Sequence, residues 1–417
     1  MTTETRPAEE VEQPASGRAR RILRAVVSAN TVTVTILAVL LALVVGAVLI
    51  VLGNEEVTGE YAYFFAQPAT ALGDSLRLVA EGYGNLFKGS IVDPSAVSGA
   101  IAGTNSWSLV FSPISETLTY TAPLIFTGLA VALAFRAGLF NIGAHGQVIM
   151  GCIGGAVVGF GVPLPPGLHV IAALLGAALG GALLALVAGV LKARTGAHEV
   201  IVTIMLNYIA FWFLQWIITK PGVHDPTRTD AISKSVASSA RLPALGGGLR
   251  VNLGIVLGVL AAAGVAWLLT RSTKGFELRA VGLNPDAART AGMSVGQAYV
   301  LAMGLSGALA GLGGGVVVLG TASDLTGQVA GTIGFDGITV ALLGRGRPWG
   351  VVASAVLFGA LHAGGNRMQQ VSHLAIDLVT VVQAVIVIFI AAPALVKAIF
   401  RLRQPGGGLS TGLAKGW

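Results

Sequence analysis

Polar and apolar positions divide this chain into long hydrophobic runs joined by short polar connections. Apolar runs occupy residues 31–52, 114–136, 145–162, 168–191, 199–219, 251–270, 296–320, 349–364 and 375–396, with a shorter one at 336–344. Most are about as long as a bilayer-crossing helix needs, and their continuity excludes the alternation of a transmembrane barrel. The pattern predicts an all-α, polytopic transmembrane helical bundle of about ten spans, in which 336–344 is a broken or half-length helix. An even number of crossings places both termini on one side of the membrane.

Three polar interruptions stand out. Residues 274–297 carry a small helix of their own: Asn284 suits the N-cap, Pro285 the first helical position, Asp286 the positive helix end, and Gly292 the residue past the last turn. The signals predict a helix over 285–291, too short to be stable alone in water and so expected to be held by packing, most directly against a partner protein. Residues 61–90 mix Tyr61, Tyr63, Phe64, Phe65, Tyr83 and Phe87 with polar positions and predict an interfacial helix. Residues 220–249, rich in Pro, Ser and Gly, predict an ordered external loop.

Composition agrees with the membrane reading. Of 417 residues, 54% are hydrophobic and only 11% charged, and mean hydropathy is +0.79; soluble domains carry roughly 25% charged residues. The 58 glycines fall mainly inside apolar runs, which implies close helix packing and breaks. The ladders Gly151, Gly155, Gly159 and Gly307, Gly311, Gly315 have the four-residue spacing that lets helices approach. The lone Cys152 excludes an intrachain disulfide or a cysteine metal site.

Net charge +7 changes the picture only once the basic residues are placed. Eighteen of the 26 lie on the side of the N-terminus, and the other eight fall mostly in the long loops 53–113 and 220–250. By the positive-inside rule both termini and the 274–297 loop are cytoplasmic, so the charge reflects topology and no nucleic-acid partner is expected. The chain then divides into a disordered basic cytoplasmic tail (1–24), a transmembrane domain (25–398) containing the cytoplasmic loop 274–297, and a C-terminal cytoplasmic tail (399–417).

Candidate chemistry sits at four places. Phe135-Arg136-Ala137-Gly138-Leu139-Phe140-Asn141-Ile142-Gly143-Ala144-His145-Gly146-Gln147 interrupts an apolar pattern with glycines and polar side chains, which predicts a helix break facing a cavity. Asn141, His145 and Gln147 are candidate pathway residues there; the plainer alternative is that they only satisfy irregular backbone. Glu199, Thr203 and Asn207 share one helix face, with Thr203 and Asn207 candidates for the pathway or for interhelical hydrogen bonding. Asp336 and Thr339 lie in the short span, where Asp336 is a helix cap or a substrate contact. Asp377, Thr380 and Gln383 share a face of the last span. No metal site is expected, since His145 has no second ligand at metal spacing, and no chain of acids or histidines reads as a proton relay. Neither a phosphate loop nor a hydrolase constellation occurs, so the chain has no catalytic residues and is not itself an ATPase.

Four ordered stretches carry a family resemblance: 128–147, 199–208, 275–292 and Gly334-Phe335-Asp336-Gly337-Ile338-Thr339-Val340-Ala341-Leu342-Leu343-Gly344. Across residues 114–398 the chain resembles permease subunits of bacterial ABC importers of the branched-chain amino acid and sugar superfamily, in particular the nucleoside (simple sugar) branch. In that branch the first motif usually has Glu where this chain has His145. The resemblance implies a multi-pass bacterial plasma-membrane permease, alternating access for nucleosides, and no cofactor in this chain. It also implies a cytoplasmic ABC ATPase carrying ATP and Mg, a second related permease subunit forming a heterodimer, and an external substrate-binding lipoprotein. The 275–292 loop then resembles a coupling helix, with Glu277, Arg279, Asn284, Asp286 and Arg289 as ATPase contacts. Permeases for sugars or branched-chain amino acids are the nearest alternative, and an ATPase-independent secondary transporter or channel is the alternative of another class.

Overall fold

The computed structural model describes residues 31–372, 374, 377–391 and 399–400. The tails read from sequence therefore lie outside the described residues, apart from residues 399–400. The described chain is helical, with only two isolated bridges, His224 to Ser233 and Ala244 to Asn252, within the 220–250 loop region.

In chain order the α-helices are α1 (Thr31–Leu52), α2 (Glu55–Glu60), α3 (Pro68–Ser90), α4 (Pro94–Ile101), α5 (Trp107–Arg136), α6 (Ala144–Gly161), α7 (Leu168–Thr195) and α8 (Glu199–Ile217). There follow α9 (Gly254–Arg271), α10 (Thr273–Leu283), α11 (Pro285–Thr290), α12 (Val295–Val317), α13 (Ile333–Leu343), α14 (Pro348–Ser372) and α15 (Asp377–Ala391). Seven, α5 to α9, α12 and α14, are long and apolar enough to cross a membrane, and α1 with its bent extension makes up to eight. The expected ten is reached only by adding α13 and α15, which are shorter apolar helices.

Burial follows membrane logic. Along α7, Ala173, Ala177, Gly181, Ala185 and Ala188 face inward, while Ile171, Leu175, Leu179, Leu183 and Val187 recur every fourth residue on the exposed face. Lipid tails are as apolar as leucine, so association rests on close packing of small residues and on hydrogen bonds. The glycine ladders supply that packing: a Cβ on Gly181 would lie 2.2 Å from the Gly307 carbonyl oxygen, and one on Gly151 would lie 2.2 Å from that of Gly311. Thus α6, α7 and α12 meet backbone to backbone.

The centre of the bundle is α5, buried along most of its length. Thr119, Thr121 and Thr127 donate to the Ser115, Thr117 and Pro123 carbonyls of their own helix, so these polar residues cost little, while Thr117 ties α5 to α3 at the Ser90 carbonyl. Arg136, Lys192, Arg194 and Arg271 end α5, α7 and α9 at one end of the bundle, called the basic end below. At the opposite end the 220–250 segment straps across the π-helical turn Val318–Ala322, with Val236 and Leu242 donating backbone N–H groups to the Ser323 and Leu319 carbonyls.

Candidate functional site

Between α5 and α6 the helix stops at Ala137 and restarts at Ala144. Gly138 takes a left-handed conformation, φ 72°, which ends α5 cleanly. The broken backbone is held by amides. Asn141 and Gln147 form a reciprocal pair at 2.8 and 2.9 Å, and Asn141 Nδ2 also donates to Ser306 Oγ at 2.8 Å, whose hydroxyl donates to the Ala130 carbonyl at 2.6 Å. From α8, Asn207 Nδ2 donates to the Ile142 carbonyl at 3.0 Å, and its Oδ1 accepts from Gly146 N–H at 2.8 Å. Asn207 therefore takes up one of the free N–H groups at the start of α6. Asn141, Gln147 and Thr203 are fully enclosed.

His145, Asp336 and Thr339 lie on the other side of the break, partly buried. The α13 backbone reaches α6 so closely that a Cβ on Gly334 would lie 2.2 Å from the Cα of His145. His145 stacks on Phe335 with ring centres 4.6 Å apart. Asp336 Oδ2 accepts from Thr332 Oγ1 at 2.7 Å, and His362 Nε2 of α14 stands 3.5 Å from the same oxygen. His362 in turn stacks on Tyr120 of α5, 5.6 Å between ring centres, and Asn366 donates to the Tyr120 hydroxyl at 2.8 Å. Thr339 is tied to its own helix through the Asp336 carbonyl at 2.7 Å. The side chains of His145, Asp336, His362, Tyr120 and Asn366 thus form one polar strip across α5, α6, α13 and α14.

The depth of this strip decides what it faces. Gly337, next to Asp336, abuts Thr127, and Thr127 lies nine residues before Arg136, roughly 14 Å along the helix axis at 1.5 Å per residue. That is near the middle of a hydrocarbon layer about 30 Å thick. A charged side chain facing lipid there costs about 2.5–3.5 kcal/mol on insertion scales. An Asp whose side chain is 17% exposed, with two His neighbours, is therefore positioned for a water-filled cavity or a protein partner, not lipid.

Toward the end opposite the basic one, the strip opens into a cleft of ≈ 580 Å³ bounded by Tyr120, Asn366 and two ion pairs, Asp93 with Arg367 and Glu116 with Arg250. The Asp93 carboxyl is held below the usual carboxylate range, mainly by the Ser95 hydroxyl and with help from the Arg367 guanidinium, against an opposing effect of burial. The cleft is polar, rigidly paired and continuous with the Tyr120 to His362 stack.

At the basic end α10 and α11 form a short hairpin. Asn284 caps α11, accepting from the N–H groups of Asp286 and Ala287 at 3.0 Å, and Gly292 follows with φ 84°. The helix observed, Pro285–Thr290, matches the sequence reading to one residue. Its support comes from the chain itself: Ala288 is buried in the same core as Leu278, Val281 and Val295. Lys274 pairs with Glu277 at 2.8 Å, Arg289 with Asp286 at 3.4 Å, and Arg279 Nε reaches the Gly275 carbonyl at 3.4 Å. Leu283 is 87% exposed beside Asp286 and Arg289, so the hairpin presents an apolar tip ringed by charge.

Two residues of this arrangement were not legible beforehand. Tyr120 and His362 stand four residues from Glu116 and Asn366, a helical spacing that marks a shared face, but only the fold brings them to Asp336. Helix α10 was also missed, although Ser272 signals its start by accepting from Gly275 N–H at 2.9 Å. Among the described residues no cluster of three metal-binding side chains occurs.

Comparison with known proteins gives a consistent result. Residues 114–391 match the family described as branched-chain amino acid transport system / permease component. A guanosine ABC transporter permease protein of Bacillus subtilis is 40% identical over 306 residues, covering 72% of this chain and 88% of the relative. A nucleoside ABC transporter permease protein of Lactococcus lactis is 37% identical over 294 residues, 68% and 80% of the two chains. A second guanosine permease protein of Bacillus subtilis is 28% identical over 259 residues, 59% and 79%. No solved structure matches.

Proposed function

This chain belongs to the branched-chain amino acid transport system permease family, and from that premise we propose that it is the membrane-spanning permease of an ATP-driven ABC importer that takes up nucleosides by alternating access. The observation that carries this reading is the partly buried polar strip at mid-membrane, lying beside a braced helix break. It joins two relatives whose names specify nucleosides or guanosine. Nucleosides are neutral and carry both apolar and hydrogen-bonding surface, which suits aromatic rings and amides around few charges.

In this reading the basic end is cytoplasmic, as the excess of Lys and Arg there supports, and α13 and α15 complete ten passes. His145, Asp336 and Thr339 line the route, while Asn141, Gln147 and Asn207 hold the broken backbone that shapes it and Thr203, bonded to its own helix, packs against Gly143. A second, related permease covers the strip, as two distinct guanosine permease proteins in one organism suggest. A cytoplasmic ABC ATPase supplies ATP hydrolysis and Mg, and an external binding lipoprotein delivers substrate to the cleft at Tyr120.

The α10–α11 hairpin is the ATPase contact, through Glu277, Arg279, Asn284, Asp286 and Arg289. Backbone contacts link it to the strip. Gly282 packs on the end of α5, where its Cβ would lie 2.3 Å from the Arg136 carbonyl oxygen, and the same residue abuts Gly138. The break then leads to His145, which abuts Gly334 of the Asp336 helix. Movement of the hairpin by the ATPase thus reaches Asp336 through two contacts that leave no room for a side chain. Vesicle uptake tests the docking role: Arg289→Glu should abolish ATP-driven uptake while the complex still assembles, and full uptake by that variant would refute it.

A further inference from the structure

Within the strip the Asp336 carboxylate has unused hydrogen-bonding capacity, and His145 Nδ1 beside it is buried without a partner among the described residues. We propose that Asp336 contacts the substrate directly and selects nucleosides whose base presents two adjacent N–H donors, the guanine-type edge. This rests on the reading that the chain moves nucleosides.

An ionised carboxylate offers about four acceptor directions. Asp336 Oδ2 takes the Thr332 hydroxyl at 2.7 Å, with His362 Nε2 at 3.5 Å. Oδ1 accepts no hydrogen bond among the described residues. Acceptor directions on both oxygens therefore stay unused among the described residues. The surroundings suit a flat heterocycle. Phe335 is 45% exposed and backed by His145, and Tyr120, which lines the cleft, stacks on His362. Aromatic faces of this kind stack bases without regard to sequence or type, so discrimination falls to the carboxylate.

Base edges differ sharply before a carboxylate. Guanine places N1–H and an N2–H side by side, matching two parallel oxygens. Hypoxanthine offers N1–H alone. Adenine and cytosine set a ring-nitrogen lone pair beside the amino group, and uracil flanks its single N–H with two carbonyls. Each of the latter turns a lone pair toward the acid, leaving acceptors facing acceptors. A bidentate contact of this sort separates bases by roughly tenfold or more.

The test compares guanosine and adenosine uptake by the complete transporter in vesicles, with the same ATPase, partner permease and binding protein throughout, so that a changed ratio belongs to this chain. Asp336→Asn should lower the guanosine-to-adenosine ratio about tenfold, and Asp336→Glu should recover part of it. An unchanged ratio in Asp336→Asn, with uptake still measurable, overturns the proposal alone; a wild type that moves no nucleoside overturns the transport reading beneath it. Should Asp336→Asn fail to assemble, labelled guanosine binding to the wild-type permease complex in detergent, without binding protein, decides. There 1-methylguanosine, whose N–H edge is blocked, should compete about tenfold less well than guanosine, and equal competition overturns the proposal.

Discussion

Asn141 and Gln147 satisfy each other's amide groups in a place where no water reaches them, and Ser306 ties the pair to the Ala130 carbonyl. Removing one partner strands the other, which costs on the order of 1–3 kcal/mol for a buried polar group. Gln147→Leu is therefore expected to lower the stability of the purified protein by roughly that amount, read as a fall in melting temperature in detergent; a melting temperature equal to wild type would show that the pair carries no weight. Sequence alone singled out both residues, because amides and glycines in an apolar run are conspicuous. It could not divide them by role. Whether a polar side chain in a break braces backbone or faces a cavity depends on what the neighbouring helices bring, and Ser306 and Asn207 arrive from α12 and α8. The same limit hid Tyr120 and His362, which become part of a site only through stacking and proximity across separate helices.

At the scale of elements, local chemistry was most readable where it is most local. The cap, proline and following glycine around α11 are contiguous, and the observed helix follows them. The neighbouring α10 escaped because its apolar residues are broken up by Gly, Lys, Glu and Arg and its stability comes from packing: a Cβ on Gly275 would lie 1.8 Å from the Leu268 carbonyl oxygen, and Leu278 and Val281 are wholly buried. That packing makes the α10–α11 hairpin rigid enough to transmit force. Its tightest joint to the break is Gly282 against Arg136 and Gly138. Gly282→Val should separate ATP hydrolysis from transport, leaving ATP turnover by the assembled complex while nucleoside uptake falls at least about tenfold, the factor that corresponds to 1.4 kcal/mol of lost coupling. Uptake and turnover that stay in proportion would contradict this linkage.

For the molecule as a whole, the hydrophobic runs located the long helices to within a few residues at most ends, because bilayer thickness fixes their length. Where length fails as a guide, so did the reading. Helix α5 begins at Trp107, earlier than its apolar run, and α14 continues to Ser372 through the polar residues around Arg367, because these line the cleft and are not exposed to lipid. The cleft, the Tyr120 to Asp336 strip and the braced break run together along α5, α6, α13 and α14, and a second permease and an external energy source complete them in the proposed function. The decisive measurement is accumulation of labelled nucleoside in vesicles containing this chain, a related permease and the binding protein, with and without the ATPase, ATP being supplied on the side of the α10–α11 hairpin. Accumulation should appear only when ATPase and ATP are both present and should not respond to imposed ion gradients. Accumulation driven by an ion gradient in vesicles that contain this chain alone would contradict the account.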